Sequence, residues 1–309
     1  MKPDLPFLRL STLSRRTLLL GGACFTGLAW AEGVPTFRMK PGTDAKAALA
    51  DIERRSGGRL GLHAIDTGSG RVLGYRSDDR FAMASTFKML LAAAVLHRED
   101  RSPGVLDQRL PVRQADLMSH SPITSKHLAD GYITARQACE ATVQVSDNAA
   151  ANILLAFIGG PAALTAFLRD SCSDAITRLD RTEPTLNTNL PGDLRDTTTP
   201  QAMANTMRQL LAGTVLSPGS RAQLNAWLEG GTTGFARLRA GLPKDWRTGD
   251  KTGSGENGAI NDVAITTPPG RAPIVMAVYL SGSTQPSTVL DATHAHAAAV
   301  VAAMLAGQG

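Results

Sequence analysis

Val263-Ala264-Ile265-Thr266-Thr267 and Ile274-Val275-Met276-Ala277-Val278-Tyr279-Leu280 stand on either side of Pro268-Pro269-Gly270. Two runs rich in β-branched and apolar residues, split by a strong turn signal, read as neighbouring strands. A further strand-like run precedes them at 246–252. At the opposite end of the chain, 59–66 carries Leu60, Leu62 and Ala64 in alternation, and 72–75 follows the turn Thr67-Gly68-Ser69-Gly70. Between these groups, from about 85 to 229, the chain is rich in Ala and Leu at helical spacing, as in Leu90, Leu91, Ala94 and Val95, or Ile153, Leu154, Phe157 and Ile158. A last helix is expected over 287–306. Strands at both ends with helices between them predict an α/β domain made of 32–83 and 230–309, interrupted by an all-α domain at 84–229.

One stretch of the middle resists a helical reading. Residues 178–196 hold Pro184, Pro191, Gly192 and four acids, with little apolar periodicity. Loops of this length are uncommon and usually functional. Arg181 and Asp196 carry opposite charges near its two ends, so an ordered Ω-type loop closed at its neck by an ion pair is expected.

The 309 residues are 43% hydrophobic and 19% charged, which excludes a disordered chain and a polytopic membrane protein. A net charge of +5 invites a nucleic-acid partner, but aromatics are 5% and no cluster of five or more Lys and Arg residues occurs, so none is expected. Much of that charge sits near the start. Arg15-Arg16 precede an uncharged run of small and apolar residues that is too short for a stable membrane anchor, and Ala29-Trp30-Ala31 offers a small-x-small cleavage site. Residues 1–31 thus read as a twin-arginine export signal, with Cys24 raising a less favoured lipoprotein alternative. The expected location is the periplasm. Removing that segment, with its four basic residues and one acid, leaves 278 residues and a net charge of +2.

Three short motifs carry the chemistry. Ser85-Thr86-Phe87-Lys88 places a hydroxyl and an ammonium three residues apart, on one face of a helix expected over 85–98. A serine hydroxyl needs an adjacent base to become a nucleophile, and a lysine with a lowered pKa can serve. Taken alone, Ser-x-x-Lys is common by chance. Ser146-Asp147-Asn148 and Lys251-Thr252-Gly253 follow it in order, and that conjunction is rare. Asn148 can hydrogen-bond a substrate amide through both ends of its side chain. Ser146 can relay a proton, Lys251 can bind a carboxylate, and Gly253 lets a ligand lie against strand backbone.

Ser-x-x-Lys, Ser-Asp-Asn and Lys-Thr-Gly in this order resemble the class A β-lactamases and penicillin-binding proteins. Glu183-Pro184-Thr185-Leu186-Asn187, inside the loop, resembles the class A Glu-x-x-Leu-Asn. The resemblance implies a two-lobed serine β-lactamase-like α+β fold, with a five-stranded antiparallel sheet, flanking helices and the inserted all-α domain. It implies hydrolysis of penicillins and cephalosporins through an acyl-enzyme. Ser85 would be the nucleophile, with an oxyanion hole from the backbone N–H groups of Ser85 and Ser254. Ser146 would protonate the leaving nitrogen, and Glu183 with Asn187 would hold the hydrolytic water. Either Lys88 or Glu183 would be the base for acylation. Lys251, Thr252, Gly253 and Ser254 would receive the substrate carboxylate, and Asn148 would also bind substrate. The partners implied are a small β-lactam and a catalytic water, without metal or cofactor, on a chain expected to be a monomer.

Departures from the family pattern refine these expectations. Asn261 stands where many members carry an arginine, and Arg237 occupies a position from which others supply the guanidinium. Ala84 and Gly255 replace the cysteine pair typical of carbapenemases, which disfavours carbapenems. His120 stands where an aromatic side chain commonly lines the mouth. Ser254 is common in enzymes that accept cephalosporins. Cys139 matches a family disulfide position whose partner position is Ala92, so Cys139 and Cys172 are expected to be buried and inert. His294 and His296 are expected to be packing or solvent-facing side chains, since zinc needs a third ligand. A D-Ala-D-Ala peptidase shares the acylation motifs but not Glu183 in this setting. A β-lactam sensor would normally be tethered to a membrane helix.

Overall fold

The computed structural model describes residues 44–306; the export signal, its cleavage site and Cys24 lie outside them. Among the described residues nine strands occur in chain order: β1 (Arg59–Asp66), β2 (Val72–Tyr75), β3 (Phe81–Ala82), β4 (Arg109–Pro111), β5 (Tyr132–Thr134), β6 (Thr197–Thr198), β7 (Arg247–Ser254), β8 (Ile260–Thr267) and β9 (Ile274–Ser281). The five long ones form one antiparallel sheet in the order β2-β1-β9-β8-β7, and β3 pairs with β6 and β4 with β5. The chain therefore closes its sheet with strands from both ends, as the two runs of period-2 and β-branched sequence require.

β1 pairs with β9 along its whole length, from Arg59 opposite Ser281 to Asp66 opposite Ile274. Both faces of β9 are buried, which is why its sequence is apolar throughout rather than alternating. Ile274, Met276, Val278 and Leu280 join Leu60, Leu62 and Ala64 of β1 in a core covered by α1 (Ala45–Ser56). That helix presents Ala45, Ala48, Leu49 and Ile52 as an i, i+3, i+4, i+7 stripe, capped by Asp44 at its start and by Gly57 in the left-handed region at its end. Gly61 has no room for a side chain, since a Cβ there would lie 2.4 Å from the Phe81 ring.

The opposite face of the sheet packs on α6 (Pro200–Leu211) and α7 (Pro218–Glu229), and the same core continues through α2 (Phe87–Arg101), α3 (Ala135–Gln144), α4 (Asn148–Ile158) and α5 (Pro161–Cys172). α2 is buried on every side from Phe87 to Leu96, the mark of a central helix. The one-turn α8 (Leu238–Gly241) and α9 (Ser287–Leu305) complete the fold beside α1. By length and hydropathy alone α9 would suffice to cross a membrane. Here Leu290, Ala297, Ala298, Val300, Val301 and Leu305 are core residues.

Two local expectations change. The helical middle is interrupted between α2 and α3, where Pro103, Gly104, Pro111, Pro122 and Gly131 break the pattern and the chain makes the small β4–β5 pair instead. The helix expected from Ser85 begins as a 3-10 turn over Ala84–Thr86 and becomes α-helical at Phe87.

Loop 178–196 carries only a 3-10 turn, Thr185–Asn187. Its neck is closed as its charges suggest: Arg181 Nε donates to Asp196 Oδ2 at 2.5 Å. Asp196 is wholly buried, and its Oδ1 accepts the backbone N–H groups of Asp180 and Arg181. Leu186 anchors the loop in the core.

Candidate active site

Four separate pieces of chain converge where α2 begins. The 3-10 turn brings Ser85, and the first turn of α2 brings Lys88. The segment before α4 brings Ser146 and the first residue of α4 is Asn148, β7 brings Lys251 to Ser254, and the loop brings Glu183 and Asn187. Three residues at these junctions adopt positive φ without being glycine: Ala84 (44°), His120 (61°) and Ser146 (60°). Such backbone costs energy and persists where surrounding contacts over-determine it.

Lys88 is the hub. Its ammonium is fully buried and donates to Ser146 O at 2.8 Å, Ser146 Oγ at 3.2 Å and Asn148 Oδ1 at 2.6 Å, with Glu183 Oε1 at 3.1 Å. Burial pulls its proton affinity below that of an ordinary lysine, and the negative charge of Glu183 offsets part of that fall. The hydrogen bond of Ser85 Oγ is to Glu183 Oε1, at 3.3 Å. One carboxylate oxygen thus joins the serine to the lysine. The other, Oε2, accepts from Asn187 Nδ2 at 2.6 Å, while Asn187 Oδ1 is buried with no protein partner.

Ser146 Oγ also accepts from the second buried lysine, Lys251 Nζ, at 3.1 Å. With lone pairs directed at two ammonium groups, the hydroxyl proton is left to point elsewhere. Lys251 Nζ further donates to Thr252 O at 2.8 Å. Burial, with the positive charge of Lys88 next, pushes Lys251 down to about 7. Gly253 keeps β7 flush against the nucleophile turn, since a Cβ there would lie 2.8 Å from Met83 O and 3.2 Å from Ser85 N. Arg237 reaches the same strand: Nη2 donates to Ser254 Oγ at 2.9 Å, Nη1 to Gly253 O and Asn261 O, and Nε to Asp291 Oδ1 at 2.8 Å.

Two of the residues singled out from sequence already have partners within the protein. Both ends of the Asn148 amide are engaged within the protein, Oδ1 with Lys88 and Nδ2 with Ser119 O, because Lys88 needs acceptors once it is buried. His120 is exposed, its Nε2 donates to Val145 O at 2.7 Å, and its own carbonyl accepts Asn148 N. Thr252 Oγ1 pairs with Thr233 Oγ1 at 2.6 Å.

Three further residues hold the site in roles that the sequence analysis does not assign them. Asn152, one turn after Asn148, grips the Glu183 backbone from both sides, donating to its carbonyl at 2.9 Å and accepting its N–H at 3.0 Å. Asp147 caps α4 and accepts Ile123 N, Thr124 N and Thr124 Oγ1, tying down the segment that bears His120. Asn261 donates to Ala82 O and Met83 O, bracing the turn before Ser85. The i+4 spacing of Asn148 and Asn152 was the one available signal for these. Cys139 and Cys172 are buried and unbonded, with burial pushing the Cys172 thiol up to about 12. His294 is a buried packing residue, held down to about 4 by burial. A cavity of about 880 Å³ is lined by Arg59, Arg181 and Leu190 together with other loop residues, and by none of the site residues.

The family model described as "Beta-lactamase enzyme family" matches residues 44–305. The chain is 46% identical over 267 residues to β-lactamase CTX-M-8 of Citrobacter amalonaticus, covering 86% of this chain and 90% of that one. It is 52% identical over 237 residues to β-lactamase L2 of Stenotrophomonas maltophilia, covering 76% and 78%. Among solved structures it is similar to the last common ancestor of Gram-negative bacteria class A β-lactamase, with TM-score 0.83, 56% identity and coverage of 85% and 100%. A β-lactamase from Xanthomonas campestris superposes with TM-score 0.82 at 47% identity, covering 84% and 97%.

Proposed function

Because the chain belongs to the class A β-lactamases, and so hydrolyses the β-lactam ring and gives resistance to β-lactam antibiotics, we propose that it works through an acyl-enzyme on Ser85 with penicillins and cephalosporins as substrates. The observation that carries this reading is the sharing of one carboxylate oxygen, Glu183 Oε1, by Ser85 Oγ and Lys88 Nζ.

In acylation, Ser85 Oγ attacks the lactam carbonyl and its proton passes to Glu183, the group it already contacts. The developing oxyanion takes hydrogen bonds from Ser85 N and Ser254 N, a term that is usually the largest in acyl transfer. Lys88 stands 3.2 Å from Ser146 Oγ, so a proton can move from the lysine through that hydroxyl to the departing nitrogen. Glu183 then passes the serine proton to Lys88, 3.1 Å away, which restores both the carboxylate and the ammonium. In deacylation, a water that donates to Asn187 Oδ1 and is deprotonated by Glu183 attacks the ester, and Ser85 Oγ takes that proton from Glu183 as it leaves as a hydroxyl. The exposed Ser254 Oγ, Arg237 behind it and Lys251 receive the substrate carboxylate, with Thr252 and Gly253 forming the adjacent strand wall. Asn148 and His120 line the opposite rim. Arg15-Arg16 and the apolar run after them support export to the periplasm by the twin-arginine route, and the chain is proposed to act there as a monomer.

Mixing the purified protein with a chromogenic cephalosporin tests the reading. Sustained turnover is expected. A single stoichiometric burst would instead mark a peptidase-like or sensor protein trapped as its acyl-enzyme.

A further inference from the structure

β7 and β8 carry two buried acids on the face of the sheet away from Lys88. Asp262 stands opposite Thr252 in the ladder and Asp250 lies two residues before Thr252. Side-chain alternation puts these three on one face and Lys251 on the other. Asp250 is 2% exposed and Asp262 is fully buried. One oxygen of each is satisfied: Arg239 Nε donates to Asp250 Oδ1, and Leu238 N donates to Asp262 Oδ2 at 3.1 Å. The remaining oxygens, Asp250 Oδ2 and Asp262 Oδ1, are buried with no hydrogen-bond partner, on the same face of two adjacent strands.

Two ionised carboxylates have no hydrogen to share, whereas a single proton between the two orphaned oxygens would satisfy both. Burial first, and the charge of Asp250 second, hold the Asp262 carboxyl well above the usual carboxylate range, as expected when two acids occupy one site. The surrounding charges agree. Arg239 is paired with Asp250, and Arg237 is paired with Asp291 of α9. His294, also on α9, is held neutral by burial, and Lys251 faces the other side. A second full negative charge on Asp262 would have no cation of its own.

The pair supports one piece of chain. A Cβ at Gly234 would fall 1.7 Å from Asp250 Oδ2, so the backbone there rests directly on the carboxyl. Leu238 N and the Arg239 guanidinium bind the same two acids. Arg237 lies between these anchors. We propose that Asp250 and Asp262 share one proton, Asp262 Oδ1 donating to Asp250 Oδ2, and that this pair is a positioning device that holds segment 234–239 so that Arg237 meets Ser254. The functional half of this proposal rests on Arg237 serving the substrate carboxylate.

The test compares Asp262→Asn with Asp262→Leu in the full-length protein. Asn keeps both hydrogen bonds, donating from Nδ2 to Asp250 and accepting Leu238 N, so KM and kcat for a carboxylate-bearing cephalosporin should stay within about twofold of the parent. Leu removes the donor and strands Asp250 Oδ2, and KM should rise about tenfold with kcat changed far less. In infrared difference spectra, the Asn variant should lose one protonated-carboxyl C=O band that the parent shows. Absence of that band from the parent, or an Asn variant as impaired as the Leu variant, would overturn the shared proton. An unchanged KM in a folded Leu variant would overturn the positioning role. Should Leu prevent folding, the Asn variant and the infrared band still decide the shared proton, and Asp250→Leu takes over the KM measurement. If Arg237→Ala leaves KM unchanged while the band is present, the carboxylate reading fails and the proton-sharing pair stands.

Discussion

Lys88 Nζ lies 3.1 Å from Glu183 Oε1, and neither side chain is exposed to solvent at all. Such a pair is expensive to desolvate, and it is strongly destabilising to break by removing one member. It persists here because Ser146, Asn148 and Asn187 satisfy the remaining polar atoms around it. Replacing Glu183 by Ala removes the base for the hydrolytic water and withdraws the negative charge that supports the Lys88 proton. Steady-state turnover of a cephalosporin is expected to fall by about a thousandfold, with a stoichiometric adduct on Ser85 in intact-mass spectra. Normal turnover by the Ala variant would remove Glu183 from deacylation.

Lys251 sets an alkaline limit on binding. Pushed down to about 7 by burial and by Lys88, it loses its charge as pH rises through that value, and the substrate carboxylate then loses a cation. KM for a carboxylate-bearing substrate should rise above about pH 7. The stability term has the opposite sign. Between about 7 and the ordinary lysine value of 10.5, the unfolded chain binds this proton and the folded chain does not, so the lysine's contribution to stability grows with pH. Lys251→Arg, which keeps its charge, should move the KM limb to higher pH. A KM profile that is flat from pH 6 to 9 would exclude the lysine as carboxylate ligand.

Arg237 is predicted to act on binding rather than on chemistry. It touches the strand edge through Ser254 Oγ and Gly253 O and is far less exposed than a surface arginine. Arg237→Ala should raise KM about tenfold with kcat within about threefold of the parent, the signature of a lost uniform binding contact. Arg237→Lys should recover only part of this, because an ammonium cannot reproduce the guanidinium fork. Equal losses in kcat and kcat/KM would place Arg237 in the transition state instead.

The neck of the loop should be the weak point of stability. Asp196 is fully buried against Arg181, and removing the arginine leaves its charge uncompensated. Arg181→Ala should cost about 3–5 kcal/mol, read as a fall in the melting temperature of several degrees or more. The same loop carries Glu183 and Asn187, so deacylation should slow more than acylation. Rapid-quench comparison of the two steps checks this.

Much of the architecture was legible because local pattern and tertiary fate agree. The alternation in β1, the unbroken apolar run of β9 and the Pro-Pro-Gly turn each have a single easy reading. The interruption at β4–β5 was hidden because its glycines and prolines lie among helix-compatible neighbours. At the site, Ser85, Lys88, Ser146 and Lys251 follow from motif chemistry, Glu183 and Asn187 from the resemblance to the class A Glu-x-x-Leu-Asn, and the loop neck from two opposite charges. Asn152 and Asn261 were not legible, since both act on backbone carbonyls or amides that are distant in sequence. The acid pair of Asp250 and Asp262 was equally invisible, because only the strand register brings them together.

The full-length pairing of β1 with β9 also fixes an order of assembly. A chain growing from its first residue completes α2, and the helices that enclose it, long before the centre of the sheet exists. β1 must wait for a partner made almost last. The contacts that close the sheet are therefore the most distant in sequence and the slowest to gain. Until then the apolar faces of β1 and α1 remain uncovered. The nucleophile turn before α2 has no strand to lie against, because β7 has yet to arrive. A nascent or truncated chain carrying Ser85, Lys88 and Glu183 is thus expected to be sticky rather than active, and competence comes with the final strands.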